Sequence, residues 1–160
     1  MDTLPLRARI VVLQDQLRAR NRREGAAAIV VAAVCVGLLM QLSPERTIQA
    51  GLAVCAVSAI AIIATLARFG SAPNLDLSQS DEALSAAARA AVASQVQLLR
   101  WAPVWYVAPL AFGSSLVLWG LQNALATPLP WPIVALYAAI FIGIAALNIH
   151  AARALERSWA

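Results

Sequence analysis

The stretch Ser80–Pro109, SDEALSAAARAAVASQVQLLRWAPVWYVAP, changes character at its middle. Its first part opens with Ser80, which, like Ser78 just before it, has a side chain able to accept from the first free N–H groups of a helix, followed by Asp81 and Glu82 where negative charge meets the positive helix end. Leu84, Ala88, Val92, Val96 and Leu99 recur at helical spacing and define one apolar face, with Ser85, Arg89, Gln95 and Gln97 read as lying off it. The second part, from Trp101, is nearly free of polar groups. Arg100 followed by Trp101, Trp105 and Tyr106 is the pattern of a membrane boundary, where the aromatic rings sit at headgroup depth and the cation stays in water. The stretch thus reads as an amphipathic bridge helix over residues 80–100 that runs into a span over 101–121.

Two apolar runs precede this bridge and two follow its start. Residues 25–42 and 47–67 read as the first and second spans, 101–121 as the third and 131–149 as the fourth, with 150–160 as a short amphipathic tail. Eighteen residues at 1.5 Å each reach roughly 27 Å, close to the roughly 30 Å of a hydrocarbon core. The composition agrees: 61% hydrophobic and 12% charged residues in a chain of 160, with a mean hydropathy of +0.73, lie far from soluble averages. The expected fold is an all-α integral membrane protein with four transmembrane helices as two hairpins, plus amphipathic N-terminal and central helices. Ser43, Pro44, Glu45 and Arg46 read as the turn between the first two spans, and residues 68–79 as a connector broken by Gly70, Pro73 and Asn74. Pro103 and Pro109 each remove a helical hydrogen bond, so a bend is expected near Pro109.

Residues 3–23 form a second amphipathic candidate. Leu6, Ile10, Leu13 and Leu17 make its stripe, and Arg7, Arg9, Arg18, Arg20, Arg22 and Arg23 crowd the remainder. A basic amphipathic helix beside a span is expected to lie along anionic headgroups or to dock a partner. The charged lead of about two dozen residues exceeds a signal peptide's n-region, and no small-x-small cleavage site follows the first apolar run, so that span is expected to remain in the mature chain.

The twelve cations are all Arg. With four spans, eleven of them share a side with both termini and only Arg46 lies opposite. The positive-inside rule then makes the termini and bridge cytoplasmic. Charges placed at the edges of apolar segments favour a membrane surface over nucleic acid. Trp119 and Trp131 mark the second interface. Ala28, Ala32, Ala33 and Gly37 on the first span, Gly51, Cys55 and Ala59 on the second, and Ala139 and Gly143 on the fourth offer faces for close helix approach.

Little in the chain points to chemistry. The span interiors hold no Asp, Glu, Lys or Arg; an ionisable group at that depth costs roughly 2.5–3.5 kcal/mol on insertion scales and usually marks a transport path. Ser58, Thr65, Ser114, Ser115 and Asn148 remain, the hydroxyls expected to bond back to their own helices. Cys35 and Cys55 read as small packing residues that are able to touch. His150 has no partners for a triad or a metal, and Glu24 is expected to pair with a neighbouring Arg. No enzyme activity, cofactor or metal is expected. Candidate interface and partner residues are Arg18, Arg20, Arg22, Arg23, Arg100, Trp101, Trp105, Tyr106, Trp119 and Trp131.

The run Arg20-Asn21-Arg22-Arg23-Glu24 before a first span, together with Gln95, Leu98, Leu99, Arg100, Trp105, Tyr106 and Pro109 entering a third, resembles a group of uncharacterised small bacterial inner-membrane proteins. Members have two hairpins around a helix and are often encoded beside an extracytoplasmic-function sigma factor. Their bridge helix is typically rich in Arg and Glu, where this chain has Ala86, Ala87, Ala88, Ala90, Ala91 and Ala93. The resemblance implies a layout and no activity. The expectation is a non-catalytic regulatory or accessory subunit of a membrane assembly, acting by helix docking, with a protein partner or a second copy of itself. The competing expectation is a small oligomeric transport or pore-forming protein.

Overall fold

A computed structural model of the chain describes residues 5–41, 45–70 and 78–159. Five α-helices account for most of these: α1 (Leu6–Gln41), α2 (Arg46–Phe69), α3 (Asp81–Ala102), α4 (Ala108–Leu125) and α5 (Trp131–Arg157), with a π-helical turn, Pro103–Val107, joining α3 to α4. Four helical stretches are long and apolar enough to cross a membrane: Leu6–Gln41, Arg46–Phe69, the unbroken Asp81–Leu125, and Trp131–Arg157. The expected stop at Pro44 and most of the connector lie outside the described residues.

Helix continuity joins segments that differ in composition. The amphipathic stretch 3–23 and the span 25–42 share one helix, α1, of 36 residues. Glu24 and Gly25 do not break it, because a single Gly costs a helix only about 1 kcal/mol against Ala. The bridge and the third span, expected to run one into the other, form one 45-residue helical run, and α5 takes in the tail as far as Arg157. At 1.5 Å per residue α1 is about 54 Å long, roughly 24 Å more than a hydrocarbon core.

The helix ends follow local chemistry. The Ser80 hydroxyl accepts from the Ala83 N–H at 3.4 Å, with Asp81 and Glu82 in the first turn as expected. Glu45 caps α2, its carboxylate accepting from the Ile48 N–H at 2.7 Å. Ala126 closes α4 with a left-handed φ of 51°. The irregularity expected near Pro109 sits just upstream of it. Pro109 has no N–H to offer the Trp105 carbonyl, and its ring crowds that carbonyl. The backbone widens into the π turn, in which the Ala108 N–H bonds to the Pro103 carbonyl five residues back.

Two packed regions result. In the first, α2 lies between α1 and α4. Ala28 packs with Ala59, Ile62 and Leu66, while Cys35 packs with Ile48, Leu52 and Cys55. Against α4 the approach is close enough that a Cβ on Gly51 would lie 2.6 Å from the Gly113 carbonyl, and one on Gly113 would lie 2.7 Å from the Cys55 sulfur. The small face expected from Gly51, Cys55 and Ala59 is therefore buried. Those expected at Gly37 and Gly143 meet nothing, since a Cβ at either has no neighbour within 4 Å.

In the second region the N-terminal half of α1, all of α3 and the end of α5 pack as a bundle. Its core joins the two stripes read from the sequence: Leu13 and Leu17 meet Val92, Val96 and Leu99 with Ala152, and Ile10 meets Leu84 and Ala88. Ile10, Leu84, Ala88 and Ala152 have no exposed surface. The apolar stripe of residues 3–23, expected against headgroups or a partner, is thus spent inside the chain, because α3 presents a complementary stripe. Leu155 and Trp159 close the open end.

Candidate functional site

A set of polar contacts linking three helices lies where the two regions meet, at the end of α2. A helix C-terminus leaves carbonyls without intrahelical donors. Gly70 closes one by donating its N–H to the Leu66 carbonyl at 3.0 Å. The last two, Phe69 and Gly70, are met by side chains from other helices: the Gln95 amide of α3 donates to the Phe69 carbonyl at 3.2 Å, and the Asn21 amide of α1 donates to the Gly70 carbonyl.

Arg20 completes the junction. Its guanidinium donates to the Gln95 side-chain oxygen at 2.8 Å and to the Asn21 side-chain oxygen at 3.2 Å. Its Nε faces a Glu24 carboxylate oxygen at 3.6 Å, an ion pair too long to be a hydrogen bond. Burial pulls the Arg20 pKa down from its ordinary value, opposed by Glu24. Burial likewise pushes the Glu24 carboxyl up, opposed by Arg20. A cation at this point also faces the negative end of the α2 dipole. The immediate work of the cluster is to satisfy a helix end within a contact of three helices.

Gln95 corrects the sequence reading. Placed off the α3 stripe because it is polar, it is 2% exposed. Position 95 falls three residues after Val92 and four before Leu99, so helical geometry puts it on the buried face, where its amide has both partners it needs. Asn21 entered the sequence reading only through the resemblance, and Gln95 only there and as a residue off the stripe; no spacing rule identifies a side chain that caps a helix distant in the chain.

The remaining candidate residues spread over the surface. Arg18, Arg22 and Arg23 are exposed on α1, Arg18 lying 3.8 Å from Asp15. Arg20, read as an interface cation, turns inward instead. Arg100 pairs with Glu156 of α5 at 2.7 Å. Trp105 donates its indole N–H to the Leu98 carbonyl at 3.2 Å and stacks against Tyr106 at 5.7 Å between ring centroids. Trp101, Trp119 and Trp131 are exposed.

Tyr137 carries a second polar cluster that the sequence reading passed over. Its hydroxyl donates to the Ala111 carbonyl and lies 3.0 and 2.9 Å from the Ser114 and Ser115 hydroxyls. Both serines bond back to α4, at Leu110 and Ala111, as Ser58 does to Val54 at 2.6 Å on α2. Asn148 does the same to Ile144 at 2.9 Å. Among the described residues no three His, Cys, Asp or Glu side chains gather as metal ligands. No family model, curated protein or solved structure matches the chain.

Proposed function

We propose that the chain is a non-catalytic, multi-pass protein of the bacterial inner membrane, a regulatory or accessory subunit whose bundle of α1, α3 and α5 projects into the cytoplasm and docks a partner. The observation that carries this reading is continuity: α1 and the α3–α4 run pass without a break from the apolar region into the packed bundle. A span and a cytoplasmic surface joined in one continuous helix are mechanically linked, which suits a subunit that reports on or holds a membrane assembly. The cytoplasmic placement follows from eleven Arg on one side.

Docking on this reading uses the outer, basic face of the bundle, because the apolar stripes are already filled. Arg153 and Arg157 at the end of α5 are exposed and lie on that face. The chain crosses the membrane as two hairpins, α1–α2 and α4–α5. The two segments behind the resemblance to sigma-factor-linked membrane proteins meet at Arg20 and Gln95 in this chain. Ser114 and Ser115 are occupied by α4 carbonyls and Tyr137, which favours this reading over a transport path.

Crosslinking in native membranes followed by mass spectrometry tests it. Arg153→Glu with Arg157→Glu is expected to lose a crosslinked partner that the unaltered chain captures, with membrane insertion unchanged. An unaltered crosslink pattern removes that face from the mechanism. Reporter fusions at residues 45 and 85 test the orientation, with 85 expected in the cytoplasm and 45 outside.

A further inference from the structure

A groove of about 490 Å³ runs between α1 and α2 beside the junction, with Arg18, Asn21, Arg22 and Gly25 on one wall and Ile63 and Leu66 on the other. Arg18, Arg22 and Gly25 follow at spacings of four and three, so two cations and a gap are stacked along one face of α1. Gly25 makes the gap: a Cβ built there has no neighbour within 4 Å. Below it the wall is aliphatic. Arg22 has no acidic partner among the described residues, and Arg18 has only Asp15 at 3.8 Å, both side chains being more than half exposed. The groove is therefore positive at the end near the bundle and apolar toward the spans.

From this arrangement we infer that the groove binds one anionic phospholipid, the phosphate on Arg18 and Arg22 and an acyl chain passing Gly25 along Ile63. Guanidinium groups match phosphate oxygens through paired N–H donors. A diacyl lipid supplies both required chemistries in one molecule, whereas a soluble phosphate leaves the aliphatic half empty. A second groove, between α3 and α5, also holds Arg89 and Arg100, but there Glu156 neutralises Arg100 at 2.7 Å. The inference rests on the membrane placement proposed above and adds a defined, selective site to it.

The test is native mass spectrometry of the full chain released from nanodiscs of phosphatidylcholine doped with phosphatidylglycerol. The unaltered protein is expected to retain one phosphatidylglycerol in preference to phosphatidylcholine. Arg18→Gln with Arg22→Gln is expected to weaken that retention about thirtyfold, roughly fivefold for each arginine removed near the surface. Gly25→Phe keeps both charges but fills the gap, and is expected to lose the bound lipid as well. Arg89→Gln with Arg100→Gln is expected to change nothing. Retention of phosphatidylcholine and phosphatidylglycerol in proportion to their supply, or undiminished retention in both groove variants, overturns the site. Failure of the unaltered chain to enter nanodiscs at all overturns the membrane placement itself.

Discussion

Arg20 on α1 donates to the side-chain oxygen of Gln95 on α3 across 2.8 Å, joining residues 75 apart in the chain. The same Gln95 amide donates onward to Phe69 at the end of α2, so one buried side chain serves three helices. Gln95→Ala leaves the Phe69 carbonyl without its side-chain donor and takes one of two hydrogen-bonded oxygens from the Arg20 guanidinium, which keeps Asn21. The expected loss is about 1–3 kcal/mol of stability, the cost of an orphaned buried group. Thermal unfolding in detergent micelles measures it. The exposed Gln97→Ala serves as control and is expected to stay within about 0.5 kcal/mol; equal effects at 95 and 97 contradict the capping role.

The α2–α4 contact depends on missing side chains. A Cβ at Gly51 would stand 2.6 Å from the Gly113 carbonyl and 2.7 Å from the Val117 nitrogen, both backbone atoms that cannot swing aside. Gly51→Ala and Gly113→Ala are expected to cost about 1–3 kcal/mol by overpacking. Gly37→Ala and Gly143→Ala, where a Cβ meets nothing within 4 Å, are expected to be neutral or to stabilise by about 0.5–1 kcal/mol through helix propensity. Denaturation in mixed micelles separates the two pairs; a uniform response would mean that α2 and α4 do not approach closely at Gly51 and Gly113.

These two sites differ in how far the sequence discloses them. Periodicity alone located the stripes Leu6–Leu17 and Leu84–Leu99, because apolar spacing is a local property of one helix. That the stripes cover each other is a pairwise fact, and either one alone reads equally well as lipid-facing. Polarity misplaced Gln95, since the reading sorted residues by chemistry before angle. The boundary between the basic stretch 3–23 and the span 25–42 is a change of composition, and composition sets the solvent around a helix rather than its end. Tyr137 was invisible for a simpler reason: its partners Ser114 and Ser115 sit on another helix, and nothing in its neighbours' spacing points to them.

The C-terminal end of the chain closes the bundle through a single aromatic residue. Trp159 packs on the clusters around Leu13 and Ile10 and receives the Arg9 guanidinium over its ring at 4.9 Å, while Arg9 also donates to the Ser158 carbonyl at 2.7 Å. Trp159→Ala removes the lid and the ring together. Because Trp159 is only partly buried, the expected cost is about 1–2 kcal/mol, below that of a core Trp. Loosening of the bundle should expose α1 backbone at Arg7, Arg9 and Arg18. Limited trypsin digestion of the protein in nanodiscs is expected to cut there several times faster in the variant, and unchanged cleavage would show that the end of the chain is not holding the bundle shut.

Glu24 makes the bundle's junction sensitive to acidity in a direction opposite to that of an ordinary ion-paired carboxylate. Burial raises its pKa more than Arg20 lowers it, so the folded chain keeps the proton to higher pH than the unfolded chain does. The folded state therefore binds more protons between the two values. Stability from this group is complete below the unfolded pKa and is lost as pH rises through the folded one. The expected observation is a melting temperature of the unaltered protein that falls, relative to Glu24→Gln, as pH rises above the unfolded value of about 4.5, and levels off once the folded carboxyl has ionised. Taking the difference between the two proteins cancels the other seven acidic residues, which titrate in both. A difference that rises with pH over the same interval would mean that the attraction of Arg20 outweighs the cost of burial, and that Glu24 supports the junction as a carboxylate.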